Sequence, residues 1–135
     1  MKTLVRSLLL LAMGAGVAGC AQGVKNDPAT QLAELTKDRV AGKPQRCIDL
    51  SQAYDSQVID KTTIAYRVGS TWYVNQLRSG ANLLDSRNIL VTRTFGSQLC
   101  ELDNIRLVER YSGIPNGFVV LGQFVPYRKP PTPDH

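Results

Sequence analysis

Three cysteines carry most of the chemistry this chain can offer. Thiols can be acylated, oxidised to disulfides, bound to metals or used as nucleophiles, and their spacing and surroundings separate these uses. Cys47 and Cys100 stand 53 residues apart. That is not the close Cys-x-x-Cys pair of a redox centre, so a structural disulfide is expected, closing a loop worth roughly 4 kcal/mol in the chain-entropy model. Cys20 is set apart from them by the apolar stretch in front of it. The single histidine, His135, is the last residue and has no Cys or His beside it. It lies in a tail that cannot hold rigid geometry, so a zinc site is not expected, and neither is a Ser-His-Asp or Cys-His arrangement, which needs a positioned histidine. Eight Asp and three Glu are the remaining candidates. Asp49, Asp55, Asp60 and Asp103 fall near turns or strand ends, where Asp usually bonds backbone amides. Asp49 and Asp103 would approach each other if Cys47 and Cys100 are bridged, and paired carboxylates suit glycoside hydrolysis. Nothing in the sequence fixes their separation. No Gly-rich phosphate loop occurs, and no cofactor or metal is expected.

The first element that must position a reactive group is the N-terminus. Lys2 and Arg6 precede an almost wholly apolar run from Ser7 to Val17, and small residues follow at Ala18 and Gly19. That order is a secretory signal, and the run is shorter than the roughly 20 residues that span a bilayer. Val17-Ala18-Gly19-Cys20 resembles a lipobox, the site of the lipoprotein signal peptidase. The resemblance implies cleavage between Gly19 and Cys20, diacylglycerol on the Cys20 thiol, and an acyl chain such as palmitate on its amine. Two or three chains, at about 0.8 kcal/mol per buried methylene, give stable anchoring. Ala21 rather than Asp follows the cysteine. By resemblance to enteric sorting rules, this implies the inner leaflet of the outer membrane, facing the periplasm.

Removing 19 of the 135 residues leaves 116, enough for one domain with one core. It also lowers the net charge from +5 to +3 by removing Lys2 and Arg6. Ten arginines are scattered, with no basic stripe, so no nucleic-acid partner is expected. Residues 20–27 form a lipidated tether, 28–127 a single β-rich domain and 128–135 a Pro-rich disordered tail.

Asp27-Pro28 is a helix start, with Asp27 as cap and Pro28 at the first helical position. Leu32, Leu35 and Val40 recur at helical spacing before Gly42 and Pro44 end the pattern. Short strands follow. Gln57 to Ile59 precedes a turn at Asp60-Lys61. In Thr62 to Val68, Ile64, Tyr66 and Val68 share one face, and Gly69-Ser70 makes a hairpin to Thr71–Leu77. Arg78 to Asn88 is a loop with a helical turn near Leu83-Leu84. Asn88 to Phe95 is a strand, with Ile89 and Val91 on one face, and Asn104 to Arg110 another. Ile114-Pro115-Asn116-Gly117 reads as a turn, before strands at Phe118–Leu121 and Phe124-Val125. The fold class is therefore mainly β (α+β). One short N-terminal helix leads into a meandering antiparallel sheet, as a small barrel or two packed layers. Tyr66, Trp72 and Tyr73 are the candidate binding residues, because Tyr and Trp favour interfaces and alternation places Trp72 and Tyr73 on opposite faces.

Arg46-Cys47-Ile48-Asp49-Leu50, Val58-Ile59-Asp60, Ser97-Gln98-Leu99-Cys100, Asp103 to Val108 and Leu121-Gly122-Gln123-Phe124-Val125-Pro126-Tyr127 carry a family likeness. Over 46–127 the chain resembles small proteobacterial lipoproteins grouped as a domain of unknown function. The resemblance implies a small β-rich domain behind a lipobox and confers no activity. The family often has two further cysteines, whose regions here read Arg78-Ser79-Gly80-Ala81 and Val119-Val120. Their joint absence leaves Cys47–Cys100 as the sole staple.

The function expected is a non-catalytic, membrane-anchored envelope module that binds another envelope protein or peptidoglycan. A hydrolase built on paired Asp residues is the alternative. An inhibitor of host lysozyme ranks last, because a +3 domain suits a cationic target poorly.

Overall fold

The computed structural model describes residues 27–133, so Gly19 and Cys20, with the expected signal and cleavage site, lie outside the described residues, as does His135. Helix α1 is Pro28–Thr36, and Asp27 caps it by accepting the Thr30 amide at 3.3 Å. It stops short of the Val40 that its apolar spacing suggested. Thr36 Oγ1 donates back to the Leu32 carbonyl at 2.8 Å, and Asp38 turns the chain at φ +56°. Val40–Ala41 then forms β1.

The other strands are β2 Cys47–Asp49, β3 Ala53–Val58, β4 Thr63–Val68, β5 Thr71–Gln76, β6 Asn88–Thr92, β7 Gln98–Cys100, β8 Asn104–Glu109, β9 Pro115–Val120 and β10 Phe124–Arg128. They make three antiparallel sheets, of order β1-β10-β5-β4-β3, β6-β8-β9 and β2-β7. The expected mainly β class holds, as packed layers and not a closed barrel. The strands β3, β4 and β5 are a meander, with Gly69 at φ +59° in the hairpin between β4 and β5.

Alternation along β4 divides the interior in two. Ile64 and Tyr66 face a main core shared with Leu84, Leu99, Ile105, Leu107, Val119, Leu121 and Phe124. This core joins the five-stranded sheet to the inner faces of the other two. On the opposite face Ala65 and Trp72 pack with Ile59 under Leu32 and Leu35 of α1 and beside Tyr127. The helix, the five-stranded sheet and the three-stranded sheet are thus successive layers. Cys47 lies directly opposite Cys100 across β2 and β7, and the two are joined in the expected disulfide.

Several boundaries differ from those read in the sequence. β3 begins at Ala53 rather than Gln57, because it pairs along the whole length of β4. The turn between β8 and β9 is at 110–113 rather than 114–117. Glu109 creates it by accepting the amides of Tyr111 at 3.1 Å and Ser112 at 2.6 Å. Pro115, which lacks an amide hydrogen, can then begin β9 opposite Val108. Strand β10 runs through Arg128, one residue into the segment expected as tail. Among the described residues no helix is long and apolar enough to cross a membrane.

Candidate binding face

In β8, Ile105 and Leu107 are fully buried, so Arg106 points away from the core. The ladder places Val91 of β6 and Phe118 of β9 on either side of Arg106. Ile89, Val108 and Pro115 form the neighbouring row on the same outer face. An antiparallel sheet with one solvated face normally alternates apolar-in with polar-out. This one does not: Phe118 is 56% exposed and Ile89 43%.

Two connections extend the face at one end. The segment after β6 carries Arg93 and a fully exposed Phe95. The turn after β7 holds Leu102 outward, 53% exposed and at φ +74°. A left-handed conformation at a bulky residue is uncommon and persists only where its surroundings determine it. Here they do. The Glu101 amide bonds the Arg46 carbonyl at 2.6 Å, the Leu102 amide bonds the Leu121 carbonyl at 3.0 Å, and Asp103 accepts the Cys100 amide at 2.7 Å. The disulfide at Cys100 fixes the strand from which this turn departs. Between these connections and the sheet lies a cavity of about 580 Å³, lined by Val91, Arg93, Phe95, Leu102, Arg106 and Phe118 among others. The guanidinium groups of Arg93 and Arg106 have no ion-pair or hydrogen-bond partner among the described residues.

The aromatic residues singled out in the sequence lie elsewhere. Tyr66 is 4% exposed and meets Phe124 edge-on at 5.9 Å. Its buried hydroxyl has no partner among the described residues, and burial pushes its pKa above the ordinary tyrosine range. Trp72 is 8% exposed beneath α1. Tyr73 is half-buried against the main core. Trp72 and Tyr73 do occupy opposite faces, but each face is covered, one by the helix and the other by the second β layer. None of the three offers a free ring.

The carboxylates are held by backbone amides, hydroxyls, side-chain amides and guanidinium groups. Asp49 accepts the Ser51 amide at 2.8 Å, which lowers its pKa, while Asp103 is held on Cys100. Asp60 and Asp85 line one cavity of about 300 Å³. Partial burial pushes Asp60 up, but hydrogen bonds from Thr62 and Thr63 outweigh it and leave its pKa lowered. Asp85 is paired with Arg87 at 2.9 Å, and that guanidinium brings its pKa down to about 2. The described residues contain no cluster of three or more metal-ligating side chains.

The outer face did leave a trace in the sequence. Ile89-Leu90-Val91, Leu107-Val108 and Phe118-Val119-Val120 are consecutive apolar residues, so both faces of those strands are apolar. That is the pattern of a sheet covered on two sides. No protein family, curated protein or solved structure matches the chain.

Proposed function

We propose that this chain is a lipid-anchored lipoprotein of the bacterial envelope, a member of the family it resembles, and that its β-domain is a non-catalytic binding module. In this reading Cys20 carries the lipid in the inner leaflet of the outer membrane, and the domain faces the periplasm. The observation that carries the binding role is the outer face of β6-β8-β9, where Phe118, Val91 and Ile89 surround an unpaired Arg106. Contiguous exposed apolar surface of this kind marks interaction sites, and aromatic residues and Arg are enriched in them.

Carbene footprinting tests the binding role in place. Phe95, Val91 and Phe118 are expected to label less in intact envelopes than in the purified full chain, while Tyr111, also exposed, labels equally in both. Equal labelling of Phe118 in both preparations would contradict it. The anchor has a separate test. Cys20→Ala is expected to abolish lipidation and release the protein from membranes; a variant that still sediments with membranes would refute the lipid assignment.

A further inference from the structure

We propose that this outer face takes an acidic, apolar polypeptide segment. Carboxylate side chains of the segment would meet Arg93 and Arg106, and a large apolar side chain would enter the cavity between Phe95, Leu102 and Phe118. The proposal rests on the reading of this face as a binding surface and adds the chemistry of its occupant.

Charge decides the partner. Arg93 and Arg106 both line the cavity and neither forms an ion pair among the described residues. Asp103, the one carboxylate in that lining, accepts the Cys100 amide, so two guanidinium groups against one carboxylate leave the lining net positive. A guanidinium bordered by apolar side chains favours a carboxylate, with which it makes paired hydrogen bonds. The same charges disfavour a second copy of this chain, because a two-fold interface through this face would set arginine against arginine. The cavity lies toward the end of β6 remote from Pro28: Pro28 shares a different cavity with Ser86 just before β6, whereas Phe95 follows the other end of that strand. Five residues at about 3.3 Å each separate the two ends by roughly 16 Å. A membrane surface is the competing occupant that the test below separates from a polypeptide. The cavity volume of about 580 Å³ lies in the range of formed small-ligand sites, enough for side chains of an inserted segment.

The test uses the full chain in phosphatidylcholine nanodiscs and fluorescence polarisation of two labelled peptides. One alternates Asp and Glu with Leu and Phe; the other replaces each acid by its amide. The acidic peptide is expected to bind about tenfold or more tightly than its amide counterpart, and to weaken with salt. Arg93→Glu with Arg106→Glu should remove that preference, as should Phe95→Ser with Phe118→Ser remove binding. All four positions are solvent-exposed, and Arg128→Glu with Lys129→Glu is the matched charge change that should leave binding unaltered. Equal binding of both peptides would overturn the acidic partner while leaving an apolar binding face. Two other outcomes would overturn the proposal in favour of another occupant: co-flotation with phosphatidylglycerol vesicles lost in the Phe variant, or dimerisation lost in it. Absence of every interaction would overturn the proposal and withdraw support from the binding face itself.

Discussion

Asn75 is fully buried in β5 between β4 and β10, and its side-chain amide holds the backbone of Gly122 just before β10. Its Nδ2 donates to the Gly122 carbonyl at 2.8 Å and its Oδ1 accepts the Gly122 amide at 3.0 Å. Gly122 is required for this approach, since a Cβ there would lie 2.2 Å from the Gln76 carbonyl oxygen. Asn75→Leu would leave both Gly122 groups without their partner, and is expected to cost about 2–3 kcal/mol in denaturant unfolding. Tyr66 is the opposite case. Its hydroxyl is buried without a partner, so Tyr66→Phe is expected to be neutral or to stabilise by roughly 1 kcal/mol. Because burial raises its pKa, wild-type stability is present below the ordinary value of 10.0 and lost as pH rises above it; Tyr66→Phe should resist that alkaline loss. Asp85 acts at the other limb. Its carboxyl is lowered from 3.8 to about 2 by Arg87, so its contribution is present above 3.8 and lost as pH falls toward 2. Asp85→Asn should flatten that part of the acid limb, measured by urea midpoints. None of these three roles is legible in residue type. A buried amide, an orphaned hydroxyl and a paired carboxylate look alike in sequence to their solvated counterparts.

The elements that the sequence shows well are those whose pairing is local. β4 and β5 appear as alternating runs on either side of Gly69-Ser70, and the cap on α1 is spelled by Asp27-Pro28. The short strands β2 and β7 do not, because each of them is ordered by a partner about 50 residues away rather than by its own pattern. β9 is hidden for a different reason. Pro115-Asn116-Gly117 imitates a turn, while the real turn depends on the Glu109 side chain. The face with the strongest binding character was concealed in the same way: its apolar residues read as ordinary strand interior until the ladder shows which side they occupy. The disulfide was legible because only two cysteines remain once Cys20 is assigned to lipid. It joins β2 to β7 and supports the turn that holds Leu102 outward. Cys47→Ser with Cys100→Ser is therefore expected to lower unfolding free energy by about 2–4 kcal/mol. It should also weaken binding at the outer face; unchanged stability in thermal and urea unfolding would contradict the staple's role.

At the scale of the molecule, three layers divide the work. The helix closes one side of the five-stranded sheet, the second β layer closes the other, and the outer surface of β6-β8-β9 is left uncovered by the described residues although its composition suits contact. The sequence told of a β-rich domain with one short helix, but not of this uncovered surface, which follows only from the stacking of layers. The central claim is that a partner occupies the outer face in the living envelope. Site-specific photo-crosslinking tests it most directly, with a photoreactive residue placed in the full chain at 118, at 95, or at 43, an exposed position between β1 and β2 outside the cavity lining. A discrete adduct is predicted from positions 118 and 95, lost when Arg93 and Arg106 are both changed to Glu, with none from position 43. No adduct at 118 and 95, or the same adducts at all three positions, would contradict it.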